Sequence, residues 1–105
     1  MAILFISRHP GSIAWMKQQP IHVDRWLEHL QIEDVKPNDV VIGILPIHLA
    51  CQVCELGARF LALNIDMPSQ KRGVEMSEHE LNTLGCSIHE YVVHKVGFAI
   101  KYGMI

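Results

Sequence analysis

The sequence predicts one α/β domain with an open, mainly parallel sheet flanked by short helices. Three apolar runs carry this reading: residues 2–7, Val40-Val-Ile-Gly-Ile-Leu45 and Arg59-Phe-Leu-Ala-Leu-Asn-Ile65. Each is short and rich in β-formers, as buried strands are. Helical patterning follows the first two runs at once. Strands alternating with helices across short connections are joined by right-handed crossovers and lie parallel.

The first strand, residues 2–7, ends in Ser-Arg-His and turns at Pro10-Gly11. A helix then runs from Gly11 to Gln19, with Ile13, Trp15 and Met16 facing inward, and Pro20 stops it. Ile21 to Leu30 alternates without a clean apolar face and is assigned as a strand. Lys36-Pro-Asn-Asp39 is turn chemistry leading into the central strand, Val40–Leu45. Pro46 ends that strand, and Ile47–Leu56 reads as a helix closed by Gly57. The third apolar run, Arg59–Ile65, is the next strand. A polar loop spans Asp66–Met76, and Ser77-Glu-His-Glu80 then fits a capping box opening a short helix that ends near Gly85. Cys86–Lys95 is the last strand, and the apolar tail from Gly97 to Ile105 is expected to pack as an edge strand or across a dimer. The result is a Rossmann-like domain.

The chain has 105 residues, half of them hydrophobic, with a net charge of −2. That size and composition fit a single domain with an ordinary core. The charge gives no basic footprint for long nucleic acid. Three cysteines without a secretory leader fit a reducing cytoplasm rather than a disulfide framework. No apolar run is long enough to span a membrane.

Open parallel sheets bind ligands beyond the carboxyl ends of their strands. Arg8 and His9 follow the first strand, His48 follows the central strand, and Asp66 follows the third apolar run. A helix N-terminus beside Arg8 favours an anion, because free backbone N–H groups and the helix dipole point the same way. Arg8 adds a planar fork of donors matched to phosphate. The corner therefore reads as a phosphate site. The Lys71-Arg72-Gly73 loop is positioned in sequence to close over the rim as a cationic lid.

Each feature also has a plainer reading. Arg8 and His9 can orient the first loop, His48 can be a helix-start residue met by solvent, and Asp66 can cap its loop. Lys71 and Arg72 can form a solvated pair, and Ser12 can be a first-turn residue bonding a free amide. Cys51-x-x-Cys54 after His48 has no second ligand pair, so helix packing is favoured over a metal site. No glycine-rich dinucleotide fingerprint or Walker-type loop is present. Trp26 and Tyr91 are more readily core aromatics than base-stacking platforms.

Four segments, Ser7-Arg-His-Pro-Gly-Ser12, His22-Val-Asp-Arg-Trp26, Gly43-Ile-Leu-Pro-Ile-His-Leu-Ala50 and Gly57-Ala-Arg59, resemble a family of small CRISPR-associated proteins found with type III systems. The resemblance runs from Ala2 to about Val93. Members of that family are regarded as stand-alone ring nucleases, which cut the cyclic oligoadenylates made as alarm signals. It implies a CARF-like fold, a homodimer, cyclic tetra-adenylate as substrate and no cofactor. The route it implies is attack by the ribose 2′-OH on the adjacent phosphorus, leaving 2′,3′-cyclic phosphate ends. Under that reading Arg8 holds phosphate and stabilises charge, and His9 and His48 are the acid or base candidates. Gly11, Ser12, Asp66 and Lys71 bind the ligand, while Arg72 closes over the ring. A binding protein that sequesters the ring, another phosphoester enzyme and a dimerisation partner in a larger complex remain the alternatives.

Overall fold

The structure is a computed structural model that describes residues 1–65, 77, 79, 80, 82 and 85–97. Five strands form one open sheet: β1 (Ile3–Ile6), β2 (Arg25–Leu27), β3 (Val40–Gly43), β4 (Arg59–Ile65) and β5 (Cys86–Tyr91). Their spatial order is β2-β1-β3-β4-β5. The first four strands run parallel, and β5 joins β4 antiparallel. Helix α1 (Pro10–Lys17) connects β1 to β2, and α2 (Ile47–Glu55) connects β3 to β4. The chain has the Rossmann-like α/β fold expected from its alternating pattern.

Chain direction reverses laterally between β1 and β3: the first crossover runs to one side, the second to the other. Crossovers of one hand that travel in opposite directions place their helices on opposite faces. The core accordingly divides in two. Leu4, Ile6, Val41 and Phe60 pack with Ala50 and Val53 of α2. Phe5, Val40, Ile42 and Leu63 pack with Trp15 and Met16 of α1. β1 and β3, covered on both sides, are almost wholly apolar, as the centre of a parallel sheet must be.

The central pair approaches closely where the two strands end. Ile6 lies opposite Gly43, and a Cβ on Gly43 would stand 2.7 Å from the Ile6 carbonyl oxygen. No side chain fits there. β3 stops at Gly43, two residues short of the expected Leu45, because β1 offers no partner beyond Ile6. Ile44 and Leu45 leave the ladder instead.

At the other end of the central strands, Asp39 fastens the sheet. Its carboxylate accepts the Ala2 amide at 3.0 Å and the Lys36 amide at 2.9 Å. Its carbonyl accepts the Arg59 amide at 2.8 Å. One residue thus ties the starts of β1, β3 and β4, after a turn in which Asn38 takes the left-handed conformation at φ 72°. Chiefly the Ala2 amide, helped by the Lys36 amide and charge, holds the Asp39 carboxyl below its ordinary value against the opposing effect of burial.

The edges differ most from expectation. Within Ile21–Leu30 only Arg25–Leu27 is strand, since an edge strand has one neighbour and its pairing with β1 covers three residues. β5 stops at Tyr91 rather than Lys95, because Tyr91 pairs with Phe60 at the start of β4. Val93 then turns onto α2, its amide donating to the Cys54 Sγ at 3.4 Å. Trp26 and Tyr91 do not fill the core, remaining 41% and 46% exposed. Trp26 sets its ring edge-on to Phe5, with Lys17 Nζ 5.5 Å from the ring centre. The helices also end earlier than expected: α1 covers Pro10–Lys17 and α2 stops at Glu55, where Gly57 at φ 84° turns the chain.

The capping box forms: the Ser77 hydroxyl accepts the Glu80 amide at 3.2 Å, and the Glu80 carboxylate accepts the Ser77 amide at 3.3 Å. The Asp66–Met76 loop, with Lys71 and Arg72, and the tail beyond Gly97 lie outside the described residues. Among the described residues no helix is long and apolar enough to cross a membrane.

Two stability predictions follow from the two ends of the central pair. Gly43→Ala should cost about 1–3 kcal/mol by forcing β3 off β1, read as a lower urea midpoint at unchanged slope. An unchanged midpoint would contradict the close approach. Asp39 has a depressed folded-state pKa, so its contribution is complete above the ordinary value of 3.8 and is lost as pH falls through the lower folded value. Asp39→Asn should therefore be less stable at neutral pH and lose less stability than wild type on acidification. Parallel acid-unfolding profiles would sink that assignment.

Candidate functional site

A cleft of about 360 Å³ opens where β1, β2 and β3 end. It lies over the point where strand order reverses, the position at which open α/β sheets form a crevice between two loops diverging in opposite directions. Ser7, Arg8 and His9 contribute one wall from the β1–α1 loop. Glu28 and His29 contribute another, immediately after β2. Ile44, Leu45 and Pro46, released from the sheet beyond Gly43, form the apolar side with Leu49 of α2.

The β1–α1 loop is held by its own backbone. The Ser7 amide donates to the Leu27 carbonyl at 2.9 Å, and the Ser7 hydroxyl accepts the His9 amide at 3.1 Å. Those two bonds fix the segment that carries Arg8. His9 is the N-cap of α1 in extended conformation, and its side chain makes no capping bond. The first turn of α1 contains no acidic residue, so the positive end of the helix dipole is not neutralised locally.

Three arginines belong to the described residues, and two are committed. Arg25 pairs with Asp34 at 3.2 Å. Arg59 forms a two-pronged bond to Glu90, with both contacts at 2.8 Å. The hydrogen-bonded guanidinium holds the Glu90 carboxyl below its usual range, and the carboxylate raises Arg59. Arg8 is exposed and, among the described residues, has no hydrogen bond or ion pair. A cation kept out of structural pairing at a cleft mouth is available to a ligand.

The structure brings Arg8 and His9 together with two groups that sequence reasoning missed, Glu28 and His29. A signal existed: both directly follow a strand, as Arg8 does. The irregular alternation of Ile21–Leu30 concealed where that strand ended. Gly11 and Ser12 form the first turn of α1; both are buried and neither lines the cleft. His48 is separated from it. It lines another groove of about 350 Å³, with Cys51, Glu55, His94 and Lys95. Asp66, Lys71 and Arg72 fall outside the described residues.

Cys51 is buried on α2 and Cys54 receives the Val93 amide, so both serve packing. Burial pushes the Cys86 thiol up to about 11, leaving it protonated at neutral pH. Among the described residues no group of three or more His, Cys, Asp or Glu side chains is placed to hold a metal. Beside the cleft, sharing Ile44 and Leu45 with it, lies a mainly apolar groove of about 380 Å³ that includes Tyr91 and Asn64. The Asn64 amide donates to the Tyr91 hydroxyl at 3.2 Å.

Because the Arg8 side chain is exposed and unpartnered among the described residues, Arg8→Ala should shift unfolding free energy by no more than about 0.5 kcal/mol. Thermal melts of the two proteins should coincide closely. A marked drop in midpoint would mean that Arg8 serves the fold rather than a ligand.

Comparison with known families gives an independent placement. The family model described as "Putative CRISPR-associated protein (Cas_VVA1548)" matches residues 4–94, which include all of the sheet except Ile3 at the start of β1 and every described residue lining the cleft. No curated protein and no solved structure matches the chain. The match covers most of the sequence and runs through all five strands, and the chain belongs to the Cas_VVA1548 family of CRISPR-associated proteins.

Proposed function

We propose that this protein is a ring nuclease that opens cyclic tetra-adenylate, the second messenger of type III CRISPR defence, and so ends the response. The observation that carries the reading is the cleft at the strand-order reversal, where an uncommitted Arg8 and the imidazole of His9 share one wall. Membership of a CRISPR-associated family supports the biological setting.

The chemistry asks little of the protein. RNA holds its own nucleophile, so the enzyme must align the 2′-oxygen with the phosphorus and the departing 5′-oxygen, and stabilise charge on the phosphate. Arg8 supplies the stabilising fork. His9 is placed for proton transfer, a task suited to an imidazole near neutral pH. The neighbouring groove with Tyr91 offers an apolar bed on which an adenine can lie, since base faces stack on aromatic rings.

Size argues for two copies. A cleft of about 360 Å³ stands near the lower end of the range for small-ligand sites, about 300–1,000 Å³, and suits one nucleotide unit rather than a ring of four. A homodimer would present two such clefts to a ring of matching symmetry. Ile44 and Ile47, 63% and 76% exposed near the cleft, supply apolar surface for that association.

The test is product analysis of the purified protein with a molar excess of cyclic tetra-adenylate in EDTA. Multiple-turnover conversion to linear adenylates ending in 2′,3′-cyclic phosphate is expected. Arg8→Ala should lower kcat/KM by about 10²–10³-fold. A ring bound but left intact would replace the nuclease with a sequestering protein. A ring neither bound nor cut would overturn the nucleotide reading.

A further inference from the structure

We infer that His29 is the second proton-transfer group of the cleft, paired with His9. The inference rests on the ring-nuclease reading and completes its proton balance. When the 2′-oxygen attacks, its proton must leave as the new O–P bond forms. The P–O5′ bond breaks in the same displacement, and the departing 5′-oxygen must gain a proton. One neutral imidazole takes the first proton and one imidazolium gives the second. Nothing is oxidised or reduced, and the next turnover needs only exchange of protons with water.

A single histidine on one wall of a cleft is poorly placed for both transfers, because the attacking and leaving oxygens lie in line on opposite sides of phosphorus. Two histidines from separate loops give each of the two oxygens its own proton-transfer group. His9 arrives from the end of β1 and His29 from the end of β2, and both line the same cleft. These are neighbouring parallel strands, paired through Ile6 and Leu27, so the loops that follow leave the sheet side by side. The Ser7 amide bond to the Leu27 carbonyl locks the roots of those loops together at 2.9 Å.

The other titratable lining groups are Arg8, beside His9, and Glu28, beside His29. The β3–α2 loop and α2 add only the apolar Ile44, Leu45, Pro46 and Leu49. The cleft therefore carries a cation for the phosphate and two imidazoles among its described lining residues. His29 is exposed and makes no hydrogen bond or ion pair among the described residues. No structural task among those residues competes for it. His48, in its own groove, is not a wall of this cleft.

The experiment compares wild type, His29→Gln and His22→Gln on cyclic tetra-adenylate across pH. His22, which precedes β2 and pairs with Asp24 at 3.3 Å, is the control for loss of an exposed imidazole. His29→Gln should lower kcat by about 10²–10⁴-fold with KM changed less than about threefold. Its kcat/KM profile should lose one of the two limbs of the wild-type bell, while His22→Gln keeps both. Coincident melting curves would assign the loss to chemistry rather than folding. Wild-type turnover with a His29→Gln variant of similar kcat and an unaltered bell would overturn the role of His29 alone. Wild type that leaves the ring intact would overturn both this role and the nuclease reading beneath it.

Discussion

Everything at the candidate site hangs on the contact between β1 and β3. Their carboxyl ends meet at Ile6 and Gly43, close enough that a Cβ on the glycine would stand 2.7 Å from a backbone oxygen. This pair is also where lateral chain direction reverses. One loop leaves toward α1 carrying Arg8 and His9; the other leaves toward α2 carrying Ile44 and Leu45. Two loops that diverge from touching strands leave a gap between them, and the fold gains a cleft without any element being bent to make it. β2 then closes the open side with Glu28 and His29.

Charge use follows the same division between the two ends of the sheet. Near the start of β4, charges are spent on structure. Asp39 gathers the amides of Ala2 and Lys36, and Arg59 grips Glu90 across the β4–β5 ladder. Arg59 and Glu90 are diagonal neighbours on one sheet face, where long side chains can reach each other. At the carboxyl rim the pattern changes. Arg8, Glu28 and His29 are exposed without partners among the described residues. Rigid backbone supports them: the Ser7 hydroxyl and amide fix the loop, and an apolar double-faced sheet lies beneath it. A stable platform with uncommitted polar groups at one edge is what binding and catalysis require of a fold.

All four segments that carry the family resemblance have distinct physical reasons. Ser7–Ser12 makes the cleft wall and the start of α1. Asp24 in the His22–Trp26 segment accepts the Ile3 amide at 2.7 Å, fastening β2 to β1. Gly43–Ala50 combines the close strand approach with the apolar side of the cleft. The fourth, Gly57–Arg59, turns the chain out of α2 and places the arginine that holds β5. Only part of a shared motif needs to touch a ligand for the whole of it to be required.

The sequence alone determined the strand–helix alternation, the central apolar strands, the capping box and the place of the Ser7–Ser12 corner between β1 and α1. These are local properties: hydrophobic period, proline and glycine punctuation, and a helix start beside an arginine are all written within a few residues. Tertiary structure decided which distant residues share the corner. It brought His29 and Glu28 in and placed His48 in a different groove, although His48 and Arg8 both follow parallel strands. It also shortened β2 and β5, since an edge strand ends where its neighbour stops offering backbone partners. Lateral order within the sheet is the quantity that no local pattern encodes. It arises from the direction each crossover takes, and that direction is set by how α1 and α2 bury their apolar faces on opposite sides of the sheet.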